Sequence, residues 1–406
     1  MRWVIFILIY LAVDLYAFQA VRTLTKNQWI YGVYAVVSVL VLVFFVYALN
    51  SGEARTNPRM MYVFGFFLAV FIPKLFLIIF MFGEDIVRLF VGLFAKIGGN
   101  EAGFYLPSRR KFVSTIALGI AAIPFSTLLF GMIKGKYNYK VLQYALEFDD
   151  LPESFDGFTI TQISDVHSGS FDSEEKISYG IDLINKQQSD VILFTGDLVN
   201  NVATEMDRWK GLFGSLTAKD GVYSVLGNHD YGDYVTWPTA EEKVANLESL
   251  KNLQRDMGWD LLLNEHRTLE RNGETIRLIG VENWGAGGFK KAGDLKKACE
   301  GIATTDFKVL MSHDPSHWQE EVKQDDRNIH LTLSGHTHGM QFGIEIPGWF
   351  KWSPVKYRYE NWAGIYEEFG RYINVNRGFG FLGYPGRVGI WPEVTVITLK
   401  KKRETA

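Results

Sequence analysis

Cysteine and histidine are scarce in this chain, and neither sign of charge dominates it. The single cysteine, Cys299, rules out an internal disulfide and leaves the redox compartment open. A formal net charge of -3 supplies no global attraction for nucleic acid. Beyond about residue 137 there are no repeats, low-complexity tracts or long flexible linkers. Histidine is confined as well as rare: all 8 residues lie beyond position 165. Such uneven placement argues against chance.

Polarity is just as uneven. At 406 residues the chain exceeds one ordinary domain, and its 48% hydrophobic content averages two different objects. Up to about residue 135 Phe, Leu, Ile and Val dominate, and the remainder reads as a mixed soluble domain. Four apolar stretches, near 3–21, 30–49, 61–83 and 112–133, reach the roughly 20 residues a helix needs to cross a bilayer. The first is expected to be a retained helix and not a removable leader, because Asp14 interrupts it, Ala17-Phe18-Gln19-Ala20 offers no small-x-small cleavage site, and three more spans follow. A multi-pass cell-membrane protein is therefore expected, with an all-α transmembrane region of about four helices over 1–136 and a second domain over 137–406.

Within the membrane region, residues 86–97 have helical apolar spacing (Ile86, Leu89, Phe90, Leu93). They fit either a helix lying in the interface or an extension of the third span. Asp14 and Lys74 sit inside apolar runs, where an ionisable group is a functional candidate unless it snorkels to an interface. Lys and Arg flanking the spans are nearly balanced, so the side of the membrane that carries the second domain is not determined.

The second domain alternates short β-rich runs with helical segments. Strands are expected at Thr159–Ile163, Val191–Phe194, Val222–Leu226, Ile276–Val281, Lys308–Met311, Ile329–Leu333, Tyr372–Val375 and Val394–Leu399. Residues 174–188 read as a helix opening on acidic residues. Five short motifs follow strands in order: Asp165-Val166-His167, Gly196-Asp197, Gly227-Asn228-His229-Asp230, Ser312-His313 and Gly335-His336-Thr337-His338-Gly339. Residues at the carboxyl ends of neighbouring strands converge on one crevice, and the small residues around them permit tight turns there. A lone Asp-x-His or Gly-Asp means little; all five in this order are specific.

Two Asp, one Asn and several His form a ligand set for two divalent metals, the arrangement used for displacement at phosphorus. Asp197 suits the bridging carboxylate. Asp165, His167 and one of His336 and His338 would complete one site; Asn228, His313 and the other late histidine would complete the second. Mixed imidazole and oxygen ligation suits Mn, Fe, Zn or Ni rather than Ca. His229 follows a ligand directly and is the expected catalytic acid or charge stabiliser, with Asp230 placed to orient it.

These motifs, over roughly residues 140–400, resemble the signature of calcineurin-like metallophosphoesterases. The resemblance implies an α/β fold, a two-sheet β sandwich flanked by helices. It also implies hydrolysis of phosphate esters or pyrophosphates. It assigns Asp165, His167, Asp197 and His338 to one metal, Asp197, Asn228, His313 and His336 to the other, and catalysis to His229. Leu151-Pro152, Gly157-Phe158-Thr159-Ile160 and the tail Asn376-Arg377-Gly378-Phe379-Gly380 look further like a membrane-associated branch related to UDP-diacylglucosamine pyrophosphatases. Met340 departs from the family, which usually has a second glycine there; little structural consequence is expected.

Arg377 and Arg387 fit either a bidentate grip on a phosphate of the substrate or structural ion pairs. Residues 348–366 interleave Trp349, Phe350, Trp352, Tyr357, Tyr359, Trp362 and Tyr366 with Lys351, Lys356 and Arg358. That composition fits a loop resting on the bilayer, or a loop packed over the domain edge. Single-stranded nucleic acid, which such interleaving can also bind, is set aside given four spans. The leading expectation is a membrane-anchored hydrolase of a phosphodiester or pyrophosphate bond, in a lipid or lipid-linked nucleotide. The alternatives are a tethered phosphomonoesterase or protein phosphatase, and a receptor whose catalytic centre has lapsed. Oligomeric state is left open.

Overall fold

Inside lipid every backbone N–H and C=O must be satisfied within its own segment, so long apolar runs become helices. A computed structural model of the chain describes residues 2–51, 58–97, 107–346 and 348–403. It contains α1 (Arg2–Leu24), α2 (Gln28–Asn50), α3 (Pro58–Ile97) and α4 (Pro107–Ile133), each long and apolar enough to span a membrane. Residues 86–97 continue α3 without a break. At 40 residues α3 is about 60 Å long, roughly twice the hydrocarbon thickness of a bilayer.

Small residues let α1, α3 and α4 approach: Ala17 and Ala20 pack with Leu77, Met81, Ala117 and Ala121. Where polar residues resume, Arg110 pairs with Glu84 and Asp85, Arg88 with Asp85, and the Tyr16 hydroxyl donates to Asp85. Asp14 and Lys74 turn to each other between the helices. Lys74 Nζ lies 2.6 Å from Asp14 Oδ1 and 2.8 Å from Ser38 Oγ, and Ser38 Oγ in turn donates to Asp14 at 2.7 Å. The Tyr10 and Tyr34 rings flank the ammonium at 5.2 and 5.1 Å. Ion pair, hydroxyl and aromatic faces thus close on one another within three helices.

The remaining residues form a second unit built on two six-stranded sheets. Its strands are β1 (Lys140–Phe148), β2 (Thr159–Ile163), β3 (Val191–Phe194), β4 (Val222–Ser224), β5 (Asp260–Leu261), β6 (Glu265–Arg271) and β7 (Glu274–Gly280). They continue with β8 (Phe307–Met311), β9 (Leu331–Ser334), β10 (Ile344–Ile346), β11 (Phe350–Trp352), β12 (Gly364–Glu368), β13 (Arg371–Val375) and β14 (Glu393–Lys401). The first sheet runs β1-β14-β2-β3-β4-β5 and the second β12-β13-β9-β8-β7-β6, while β10 and β11 make a separate ribbon. Within the first sheet β2, β3 and β4 are parallel; within the second, β7, β8, β9 and β13 are.

All residues of β3 and β8 are buried, as expected for parallel strands covered on both faces. Between the sheets, Phe158, Ile160, Val191 and Leu193 meet Ile276, Leu278, Val309, Met311, Leu331 and Leu333. The expected strands are present within one or two residues at their ends. β1, β6 and β12 were not expected: β6 and β12 are half-exposed with little alternation, and β1 alternates only from Leu142 onward. Helix α5 (Glu174–Asn185) starts at the Ser173 cap, whose hydroxyl accepts from Lys176 N–H, and buries Ile177, Ile181 and Ile184. Short α6 (Lys210–Phe213), the longer α7 (Ala240–Asp256) and short α8 (Leu295–Ala298) complete the helices. The fold is the expected one, four apolar helices followed along the chain by a helix-flanked sandwich.

Replacing Asp14 by Ala leaves Lys74 as an unpaired buried charge, which costs about 3 kcal/mol or more. Thermal unfolding of the full chain in detergent should show a lowered midpoint, largely recovered in Asp14→Leu/Lys74→Met. If Asp14→Ala unfolds like the wild type, the buried pair has no structural weight.

Candidate metal centre

The motif residues come together because parallel strands deliver their carboxyl ends to one rim. Asp165 and His167 follow β2, Asp197 follows β3, Asn228 follows β4, His313 follows β8, and His336 and His338 follow β9. Their backbones bend sharply there. Asp165, His167, Asp197, His336 and His338 have φ of 51°, 47°, 61°, 69° and 50°, the left-handed region that costs a non-glycine residue about 1–3 kcal/mol. Glycine supplies the room. A Cβ at Gly227 would overlap Asp197 Oδ1, and one at Gly335 would overlap Ser164 Oγ and Asp165 Oδ2. Met340 also sits at φ 54°. The usual glycine there thus answers a backbone requirement that the sequence had made look trivial.

Two groups of ligand atoms result, Asp165 with His167 and His338, and Asp197 with His313 and His336, each group within 4.8 Å. Asp197 Oδ2 lies 3.6 Å from His167 Nε2 and 3.1 Å from His313 Nε2, between the groups. His338 Nε2 is 3.2 Å from Asp165 Oδ1 and 3.0 Å from His167 Nε2. Asn228 Oδ1 is 2.8 Å from His336 Nδ1. All these ligand-bearing side chains are buried or nearly so.

The donor set fits cations. His313 Nδ1–H donates to Thr195 O at 2.7 Å, which turns the buried Nε2 toward Asp197 Oδ2 at 3.1 Å. Two buried imidazole Nε2 atoms facing each other at 3.0 Å are stable together only with a proton or a cation between them. Burial opposes charge on His313, but Asp197 and Asp165 outweigh it and push its pKa up to about 10. Burial likewise opposes ionisation of Asp165, yet the His338 and His313 imidazoles hold its carboxyl well below the usual range. The pocket's electrostatics favour positive charge between its carboxylates.

A second tier fixes these groups. His336 Nε2 lies 2.8 Å from the Tyr359 hydroxyl and 3.4 Å from Asp314 Oδ2; in the tautomer that frees Nδ1, Nε2–H donates to Tyr359. Sequence reading missed Asp314 and this role of Tyr359, since adjacency to His313 or membership of an aromatic run does not reveal either contact. His229 Nδ1–H donates to Asn200 O at 2.8 Å, and its ring packs at a tilt 4.4 Å from that of Tyr234, whose hydroxyl accepts from Asn228. Glu205 in turn gathers the N–H groups of Asn200, Asn201 and Val202.

Asp230 therefore does not orient His229, as sequence adjacency had suggested. It is fully buried and accepts from the N–H groups of Gly227, Asp197, Leu198 and Val199, tying the β3 loop to the β4 loop. Arg377 and Arg387 are corrected too. Arg377 is buried between Glu393 and Glu345. Arg387 is fully buried, donating to the carbonyls of Arg377, Gly378 and Gly380 and lying 3.2 Å from His338 Nδ1. Their donors hold the 377–380 loop against the centre instead of reaching a substrate phosphate.

Comparison with known proteins adds two family matches. A profile described as "Probable Calcineurin-like phosphoesterase, transmembrane domain" matches residues 1–136, and one described as "Calcineurin-like phosphoesterase" matches residues 158–340. The chain is 30% identical over 305 residues to YkuE of Bacillus subtilis, an uncharacterized metallophosphoesterase, covering 72% of this chain and 98% of that protein. It is 27% identical over 317 residues to a transmembrane protein with metallophosphoesterase domain of Danio rerio, covering 74% and 68% of the two chains.

Chelation should lower the unfolding midpoint of the full chain, and added Mn should restore it. At a concentration a hundredfold above Kd, restoration corresponds to about 2.7 kcal/mol. Tyr359→Phe removes the hydroxyl beside His336 and should weaken metal binding about 10-fold or more in a competition titration with a chromophoric chelator. Unchanged affinity would show that Tyr359 does not position the imidazole.

Proposed function

The chain belongs to the calcineurin-like metallophosphoesterase family, and from that premise we propose that it cleaves a phosphodiester or pyrophosphate bond in a lipid or lipid-linked nucleotide. It is a membrane-associated, phosphoester-hydrolysing enzyme. Residues 1–136 serve as the anchor and 137–406 as the catalytic domain. One observation carries the reading most: the Asp197 carboxylate lies between the imidazoles of two separate ligand groups, which suits a bridge between two cations.

In this reading Asp165, His167, Asp197 and His338 hold one ion, and Asp197, Asn228, His313 and His336 the other, from among Mn, Fe, Zn or Ni. Such ions supply Lewis acidity toward phosphoryl oxygens and acidify water at neutral pH. The chain's own residues do the rest. Asp165 accepts His336 N–H at 3.0 Å, which locks the β9 loop under the site. Asp197 Oδ1 accepts His229 N–H at 2.8 Å, setting the catalytic histidine one bond from the bridge. Because His229 Nδ1–H is spent on Asn200 O, Nε2 is the atom free to pass a proton to the leaving oxygen. Burial lowers the pKa of that ring, and Asp197 works against the shift, so a bound phosphate anion and Asp197 together favour its charged form.

The lipid preference draws support from Tyr359. It reaches His336 from the segment that also carries outward-facing aromatics, so the rim of the site and an apolar surface share one stretch of chain.

Detergent-purified chain with added Mn should hydrolyse bis-(p-nitrophenyl) phosphate and a UDP-linked lipid, and Asp197→Asn should abolish both activities. Cleavage of p-nitrophenyl phosphate alone would replace this proposal with a phosphomonoesterase. His229→Ala should retain metal while kcat falls about 10²–10⁴-fold. A purely structural metal site would show no such separation of metal content from turnover.

A further inference from the structure

The ribbon of β10 and β11 is turned inside out relative to an ordinary surface hairpin. Its register pairs Ile344 with Trp352, Glu345 with Lys351 and Ile346 with Phe350. Cross-strand partners share a face and neighbours alternate. One face is therefore Ile344, Ile346, Phe350 and Trp352, and the other is Glu345 and Lys351. The polar face is hydrogen-bonded to the domain. Glu345 accepts from Arg377 at 2.6 Å, and Lys351 Nζ donates to Ala363 O and to the Tyr366 hydroxyl. The apolar face points out: Ile344 is 54% exposed and Phe350 48%, with Trp349 at the turn 81% exposed. Fixed apolar surface of this kind marks a binding face.

The occupant follows from where the ribbon is rooted. Helix α4 runs to Ile133, and two residues later Gly135 is buried so tightly that a Cβ would overlap Arg387 O and touch Trp391. Residues 387–391 therefore pack on the first residues of the chain after a membrane span. The ribbon grows from this same corner. Gly343 N–H donates to Val388 O at 2.9 Å, Phe342 bridges to Val388, and a Cβ on Gly389 would overlap Gly343 O. Glu345 and Gly348 also share a groove of about 470 Å³ with Lys140 and Trp391. Exposed Lys134, Lys140, Lys356 and Arg358 add the charge that anionic headgroups attract, and an exposed tryptophan suits the headgroup zone.

We propose that this ribbon is a lipid-contacting foot, seating its outward face in the interface of the bilayer that holds the chain's own spans. Behind it, Ser353 Oγ donates to Gly339 O at 2.7 Å and Thr337 Oγ1 to Trp362 O at 2.7 Å, so the foot is fastened to the β9 loop of the metal centre. The inference rests on the spans and on this surface, independently of which phosphate ester is cleaved.

The test uses the full chain in liposomes of phosphatidylethanolamine and phosphatidylglycerol, with Cys299→Ala as background. Nitroxide is attached at Trp349→Cys, at Ile346→Cys as a second site, and at Val244→Cys on α7, which packs beside β5 at the opposite edge of the first sheet. Collision with lipid-soluble oxygen is compared with collision with an aqueous nickel chelate. The foot requires an oxygen-to-nickel ratio several-fold higher at 349 or 346 than at 244. Equal ratios at all three positions would overturn it. So would spin–spin broadening at 349 and 346, which would assign the face to a second copy of the chain.

Discussion

The catalytic domain is organised around the repulsion among buried charges at one rim. Two carboxylates and five imidazoles share a pocket from which water is nearly excluded, and only interposed positive charge makes that arrangement stable. Asp197 expresses the constraint most directly, since its oxygens face His167, His313 and the His229 N–H at once. Parallel strands from two sheets are what make such crowding geometrically possible, because each delivers a ligand at its carboxyl end without any strand having to bend.

Holding the crowd in place takes more of the chain than the ligands themselves. Five ligand residues lie in left-handed backbone, a conformation they keep only because neighbouring groups over-determine it. Asp230 collects four N–H groups from two loops, Arg387 binds the carbonyls of a third, and Glu205 ties down the loop whose carbonyl orients His229. Buried ionisable residues that look catalytic in a sequence are here the fasteners of the loops. Their charge is useful because backbone dipoles in a dry site need a strong partner.

The membrane unit solves the opposite problem with the same physics. There the surroundings reject charge, and the Asp14 carboxylate and Lys74 ammonium are tolerated because each completes the other, with Ser38 and two aromatic rings closing the set. The ribbon of β10 and β11 joins both kinds of surface in one element, with its polar face bonded to the domain and its apolar face outward.

Sequence by itself determined the spanning helices, the central strands and which residues gather at one rim. Apolar length required four spanning helices, strand periodicity placed β2, β3, β8 and β9, and the motifs after those strands named the residues that converge at the centre, because such signals are local. It could not tell a substrate-gripping arginine from a buried one, so Arg377 and Arg387 stayed open between the two, and adjacency to His229 gave Asp230 a partner it does not have. Nor could it join Asp14 to Lys74, find Tyr359 and Asp314 behind His336, or show that Met340 needs a left-handed backbone. Those facts depend on which distant groups share a space and which way a side chain leaves its turn. Only the tertiary structure decides that, because burial and orientation are properties of the packed whole.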